Sequence, residues 1–390
     1  MARHFSVPHF FRQVPNPLLK RYFDYIGLFP EFDFEALPET KPGPLLAEWD
    51  GLPEKRRQEI ERQLREIFDL ACDKGAVAIL DEARWQHAND PAKLQALTAK
   101  LADIKSHYAR AMTTFLDHKE CWRGATMHYH ADSLVHWRKR RGLPRQPAAL
   151  DHESRAVLAD GIGTWFREAE GRGRNCHVDV LKRGERDYFF VYPEDWADAR
   201  IEWINNQFGR PERTPAFEVV FMWNARDGAL ELNHRGDKKA KDALQAMFAR
   251  TILKLDRLPP KDEDSYDLEP LKRRGFQFRY PAGSGIEAVR VRKLRLESAS
   301  RKSDRLVLEA NVRQDENALY DLLEQAGRAF PLQVWQATQA EIVVRLAATD
   351  DRAARWESFT ISAPSSCTLK FDELGLTLHD MLVESWIERR

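Results

Sequence analysis

The chain has 390 residues, 43% of them hydrophobic, and 61 Lys and Arg balance 61 Asp and Glu. That length suggests two or three domains, and 11 Trp with 21 Phe exclude a disordered chain. Zero net charge excludes a general pull toward nucleic acid or an anionic membrane, so any such binding must come from a local patch.

Residues 1–53 are rich in proline and aromatics. The prolines forbid long helices, although Leu18 to Ile26 suits a short one. Phe5, Phe10, Phe11, Tyr22, Phe23, Phe29, Phe32 and Phe34 need burial, so the segment is expected to pack as an arm on a neighbouring domain. Docking of this arm on a partner protein is the alternative. A helical domain follows over 54–147. Ile60, Leu64, Ile67, Phe68 and Ala71 share one helical face. Asp90-Pro91 is a helix start, and Leu94 to Phe115 keep helical spacing. A further helix is expected over about 125–140, ended by Arg138-Lys139-Arg140-Arg141-Gly142.

From residue 151 the period changes. Asp151 caps a helix that Gly171 ends, and then short alternating stretches follow. Cys176 to Lys182 and Asp187 to Tyr192 flank a turn at Arg183-Gly184-Glu185. Phe217 to Trp223 and Ala229 to Asn233 flank Ala225-Arg-Asp-Gly228. Helices are expected over about 195–208, over 237–255 and over 315–325, with a last one over 373–387. Strands are expected at Gly275 to Tyr280, Ala288 to Leu296, Arg305 to Val312, Val334 to Gln336, Glu341 to Ala347 and Trp356 to Ile361. Tight turns imply antiparallel pairing. The expected fold is therefore α+β, a helical N-terminal domain followed by an antiparallel hairpin-plus-helix region over 151–390, with a division possible near 256–272.

The start, Met1-Ala-Arg-His-Phe-Ser, has no long apolar core, so no secretory signal is expected. No apolar run approaches the roughly 20 residues that span a bilayer. Cys72, Cys121, Cys176 and Cys367 stand far apart with no CxxC pair, which argues against a structural zinc site or a disulfide scaffold. These features together point to a soluble protein in a reducing cytoplasm; a bacterial source and no cofactor are expected.

The densest chemical segment is Arg123-Gly-Ala-Thr-Met-His-Tyr-His-Ala-Asp-Ser-Leu-Val-His136. His128-x-His130-x-Asp132 resembles the metal-binding motif of the metallo-β-lactamase superfamily, with Ser133 where that motif has a second His. On a continuous helix, His128, Asp132 and His136 would share a face and could hold a divalent metal. Alternatively Asp132 simply hydrogen-bonds one or both histidines. Arg123 and His128, four residues between them, resemble the active-site motif of HEPN-family ribonucleases. That resemblance implies action on a scissile phosphate and its 2′-hydroxyl, and here Gly124 replaces the usual polar residue after the Arg.

Basic stretches form the other group of candidates. Gly171-Arg172-Gly173-Arg174-Asn175 could approach an anion with backbone N–H groups and forked guanidinium donors, or be a helix C-cap with exposed arginines. Val289-Arg-Val-Arg-Lys-Leu-Arg-Leu296 could place Arg290, Arg292 and Arg295 outward to track phosphates, beside Arg301, Lys302 and Arg305 at the next turn, or be a charged edge strand. Asp262-Glu263-Asp264 reads as a solvated linker that could attract a cation. The leading expectation is a non-enzymatic binding or regulatory protein that contacts nucleic acid or a phosphorylated ligand through Arg172, Arg174, Arg138, Arg140, Arg141, Arg290, Arg292 and Arg295. A phosphodiester hydrolase using Arg123 and His128, or a metal at His128, Asp132 and His136, is the competing class. An interaction scaffold that docks through residues 1–53 is the third.

Overall fold

A computed structural model describes residues 4–204, 207–260, 264–301, 303–348 and 353–389. Asp262, Glu263 and Lys302 lie outside them. The chain divides into two units, one comprising residues 1–133, 181–183 and 197–213 and the other comprising the rest.

The first unit is built on helices α1 (Val7–Gln13), α2 (Asn16–Tyr25), α3 (Gly43–Asp50), α4 (Glu54–Leu70), α5 (Asp73–Gln86), α6 (Pro91–Asp103), α7 (His107–Asp117) and α8 (Lys119–Ser133). Local chemistry fixes the ends of several. Asp90 Oδ1 accepts the Lys93 N–H at 3.0 Å, with Pro91 at the first helical position. Ser6 caps α1 in the same way, with Pro8 in its first turn. Phe10, Phe11, Tyr22 and Phe23 share one core with Ile60, Leu64 and Ile67 of α4, so the aromatic segment is an integral layer of this unit.

The second unit opens with a strand, β1 (Trp137–Arg140), and continues through α9 (His152–Glu170), β2 (Cys176–Arg183, whose residues 181–183 fall in the first unit) and β3 (Arg186–Pro193). The short ribbons β4 (Asp198–Ala199), β5 (Glu202–Ile204), β6 (Gln207–Gly209) and β7 (Glu212–Arg213) fall in the stretch that belongs to the first unit. Then come β8 (Val219–Asn224), β9 (Ala229–Asn233), α10 (Lys238–Thr251), β10 (Ile286–Ser298), β11 (Arg305–Glu309), α11 (Ala318–Ala329), β12 (Trp335–Leu346), β13 (Arg355–Ser362), β14 (Ser366–Cys367) and α12 (Glu373–Glu384). A ten-stranded sheet runs β11-β10-β12-β13-β14-β1-β9-β8-β3-β2, and its registered pairs are antiparallel. The fold class is α+β. Two cores lie along this sheet, one formed from residues 143–253 and one from residues 266–387. No helix among the described residues is long and apolar enough to cross a membrane.

Several expected elements differ. The helix expected to reach residue 140 stops at Ser133, and residues 137–140 form β1. Arg and Lys suit a helix end, but Trp137 and Lys139 are held by strand partners, Cys367 on one side and Glu231 on the other. The first unit runs unbroken to Ser133 and takes up the chain again at 181–183 and 197–213. Of the stretch expected as a helix over 195–208, residues 198–199, 202–204 and 207–208 form short ribbons instead, and 276–280 are irregular instead of a strand. The two short strands expected between 334 and 347 are one continuous β12, whose Ala337, Ala340, Ile342 and Val344 are buried.

Candidate anion-binding site

The segment 119–136 does not assemble either catalytic arrangement. His128 is fully buried with its Nε2 3.2 Å from Glu82 Oε2, whereas Arg123, five positions earlier on α8, is exposed. Five residues turn a helix through roughly 140° beyond a full turn, so the two point apart. Asp132 is buried and accepts from Arg183, which also donates from Nε to Asp81 Oδ2 at 2.8 Å. His136 lies past the end of α8 with a left-handed backbone, φ 66°, so it does not continue the His128–Asp132 face. The His-x-His-x-Asp sequence sits on a helix, where alternate residues face different ways.

Among the basic stretches, Arg172 is turned into the fold. It pairs with Glu170 at 2.6 Å and Asp195 at 2.8 Å, and its guanidinium lies 3.8 Å from the Phe217 ring centroid and 4.5 Å from that of Trp196. Gly171 is a left-handed helix cap, φ 73°, and Gly173 sits where a Cβ would meet the Gly163 carbonyl at 2.8 Å. Both glycines thus serve chain geometry. Arg174 is exposed. On β10, Arg290 donates to the Val312 carbonyl, Arg292 pairs with Glu309 at 2.7 Å and Glu341 at 3.2 Å, and Arg295 Nε donates to Thr338 Oγ1 at 3.1 Å. Strand β10 lies four positions from β1 in the sheet, and β2 lies four positions away on the other side. At the usual strand spacing each is roughly 19 Å distant. The three arginine stretches therefore occupy separate regions of the sheet.

One stretch does line a cleft. Arg138, Lys139 and Arg140 of β1, Lys238, Asp242 and Gln245 of α10, and Pro364-Ser365 enclose about 370 Å³. Strand β1 enters because its backbone pairs with β14 on one edge and β9 on the other, and the Lys139 N–H donates to the Ser365 carbonyl at 2.8 Å. Helix α10 enters because Asp237 caps it, its Oδ1 accepting the Ala240 N–H at 2.7 Å. Lys238, Asp242 and Gln245 then fall at i, i+4 and i+7 on one face. The first turn of α10 adds its own partial positive charge.

The cleft is electropositive. Arg138, Arg140 and Lys238 line it with one carboxylate, Asp242, which lies 3.7 Å from Arg138 Nη2. Nearby Lys241 has its ammonium pushed below the usual lysine range, first by burial and then by the Arg138 charge. Gln245 is buried, and its Nε2 makes no hydrogen bond with the described residues. An amide donor without a partner is costly in a protein interior unless something at the site accepts from it. Arg140 reaches across to donate to the Pro259 carbonyl, and Arg141 is half-buried, its guanidinium pushed below its ordinary range by burial. Lys139, Lys238 and Gln245 were not sequence candidates. The spacing of Lys238, Asp242 and Gln245 carried no motif that could have flagged them.

Behind the cleft, Lys139 is locked in place. Its Nζ lies 2.5 Å from Glu388 Oε1 and 3.2 Å from Glu231 Oε1, and both carboxylates are almost fully buried. Burial alone would lower the Lys139 pKa, but the two carboxylates override it and raise it. Burial would likewise raise Glu388, yet Lys139 and then His379 bring it down to about 2. His379 Nδ1 is 2.8 Å from Glu388 Oε2, and its ring stacks on Phe371 at an interplanar angle of 1°. Lys139 is thus neutralised from behind, which leaves Arg138, Arg140 and Lys238 to set the field in front.

No protein-family model, curated protein or solved structure matches this chain. The functional reading therefore rests on the residues themselves.

Proposed function

We propose that this chain is a non-enzymatic binding or regulatory protein of the bacterial cytoplasm that takes a phosphate-bearing ligand, nucleic acid or a phosphorylated small molecule, into the cleft between β1, α10 and residues 364–365. The observation that carries this reading is Gln245, a buried amide donor without a partner in a cleft walled by Arg138, Arg140 and Lys238. Forked guanidinium donors suit phosphate oxygens, and the Gln245 N–H would add a neutral donor to the same anion. The four cysteines are free thiols, which fits a reducing compartment.

The test is a binding series with single-stranded RNA, duplex DNA and pyrophosphate as probes. Neutralisation of up to three phosphates by Arg138, Arg140 and Lys238 gives a log–log salt slope no steeper than roughly −3 for a nucleic acid. Arg138→Ala and Lys238→Ala should each weaken binding across all sequences and flatten that slope by about 1. Absence of micromolar binding to every probe, or binding that ignores both substitutions, defeats the proposal. If pyrophosphate alone binds, the ligand is a small phosphorylated molecule.

A further inference from the structure

In the first unit, His87, Glu120 and Cys121 bring an imidazole nitrogen, a carboxylate oxygen and a thiol sulfur within 4.8 Å of one another. We propose that these three side chains bind a divalent transition metal, zinc in particular, at a site with one coordination position open to water. The proposal is independent of the phosphate cleft.

The chain builds this site from two helix ends. His87 is the residue that terminates α5, its N–H donating to the Ala83 carbonyl at 3.0 Å. Glu120 and Cys121 lie in the first turn of α8, and the Cys121 N–H donates to the His118 carbonyl at 3.0 Å. Burial and the Glu120 charge push the free Cys121 thiol up, to about 12, so the thiolate forms only as a metal displaces its proton.

The three donors stand within 4.8 Å of one another, somewhat wider than a bound tetrahedral ion holds them. Zinc bonds of about 2.0–2.1 Å to nitrogen or oxygen and about 2.3 Å to sulfur place neighbouring donors roughly 3.3–3.7 Å apart. His87 Nε2 and Glu120 Oε1 are 3.9 Å apart. Glu120 is exposed while His87 and Cys121 are buried, so closing the three donors onto an ion takes small side-chain rotations that Glu120 makes most easily.

An unmet demand at the site supplies the second observation. His87 is 6% exposed, and its Nε2 makes no hydrogen bond with the described residues. A buried imidazole nitrogen aimed at a thiol and a carboxylate is what a borderline-soft cation requires.

His118 acts on Glu120 rather than on the metal. The Lys100 ammonium, which has no lone pair, lies 3.4 Å from His118 Nε2, so that nitrogen is the acceptor and the proton sits on Nδ1. His118 Nδ1 faces Glu120 Oε1 at 3.8 Å. His118 is therefore a positioning residue that turns the carboxylate toward the ion.

The experiment uses the full chain, stripped with chelator and titrated with Co2+ as a spectroscopic stand-in for zinc. The expected result is one ion per chain with a thiolate-to-cobalt charge-transfer absorption in the near ultraviolet. Cys121→Ser should abolish that absorption, and His87→Ala should weaken affinity far more than tenfold. Glu120→Gln alters an exposed side chain, so the fold persists, and it should weaken affinity by at least about tenfold. His118→Ala should cost about 10-fold while leaving the charge-transfer absorption in place. Cobalt that binds without thiolate absorption overturns the proposal, as does an affinity that Glu120→Gln leaves unchanged.

Discussion

Lys139 Nζ and Glu388 Oε1 meet at 2.5 Å although 249 residues separate them in the chain. Glu231 supplies a second buried carboxylate at 3.2 Å, and His379 meets the other oxygen of Glu388 at 2.8 Å. Neither end of this contact is dispensable, because each group removed leaves a charge that water cannot reach. Lys139→Met keeps the apolar stem and removes the charge. It should destabilise the second unit by about 3–5 kcal/mol, the usual result of stripping one partner from a buried pair. Urea unfolding followed by tryptophan fluorescence measures it. A loss below about 1 kcal/mol would mean that the two glutamates find other compensation.

The same cluster sets an acid limit. Glu388 has a folded pKa of about 2, below its ordinary value near 4.5. A depressed carboxylate contributes stability that is complete above its unfolded pKa and is lost as pH falls through its folded one. Stability should therefore decline between about pH 4.5 and pH 2 through this residue. Other carboxylates titrate there too, so the informative quantity is a difference. Glu388→Gln should be less stable at pH 7 and should show a shallower fall in stability over that interval. Parallel pH profiles for the two proteins would refute the assignment.

What the sequence made legible were the features whose cause is local. Asp151 and Gly171 bracket α9 because a side-chain cap and a left-handed glycine act within one turn of themselves. Gly228 marks the β8–β9 turn for the same reason, with φ 61°. The cleft was not legible, because its walls come from residues 138–140, 238–245 and 364–365. Strand β1 illustrates the difficulty. Arg138 to Arg140 have no strand signature, and they become a strand only because Ser366, Cys367 and Leu230 to Leu232 offer hydrogen bonds from far along the chain. The His87–Glu120–Cys121 group was hidden in the same way, since two helices must fold before the thiol meets the imidazole.

Gly124 tests a competition between two known magnitudes. Alanine is favoured over glycine inside a helix by about 1 kcal/mol. A Cβ at position 124, however, would stand 2.0 Å from Glu82 Cδ and 2.2 Å from its Oε2. Glu82 is buried and held by Gln86, whose Nε2 donates to Oε1 at 2.7 Å, with His128 3.2 Å away on the other oxygen. Moving it breaks that arrangement, and overpacking of this kind costs typically 1–3 kcal/mol. Gly124→Ala should therefore be net destabilising by up to about 2 kcal/mol in thermal or chemical unfolding. A stabilised variant would show that the Glu82 carboxylate moves aside freely.

Gly228→Ala should be worse for its position, because two penalties act together there. The backbone is left-handed, and a new Cβ would lie 2.3 Å from the Leu143 carbonyl oxygen, a backbone atom that cannot swing away. The Leu143 N–H also donates to the Gly228 carbonyl at 3.2 Å, so the contact that would be strained is one that joins the segment after β1 to the β8–β9 hairpin. A loss above about 2 kcal/mol is expected. Equilibrium unfolding of the variant measures it, and a loss under about 1 kcal/mol would contradict the close approach.

Arg172 separates a structural arginine from a ligand-binding one. Its guanidinium is bound by Glu170 and Asp195 and lies against the Phe217 and Trp196 rings, with the side chain only 14% exposed. A planar fork is needed to meet two carboxylates and two rings at once, and an ammonium cannot replace it. Arg172→Lys should cost about 1–2 kcal/mol of stability, and Arg172→Ala about 2–4 kcal/mol, from the lost charge-assisted hydrogen bonds and ring contact. Affinity for RNA, DNA or pyrophosphate should stay within twofold in both, measured below their unfolding transitions, whereas Arg138→Ala should lower it with little effect on stability. If Arg172→Lys instead weakens phosphate binding at unchanged stability, the glycine-arginine loop is the anion site and the β1–α10 cleft is not.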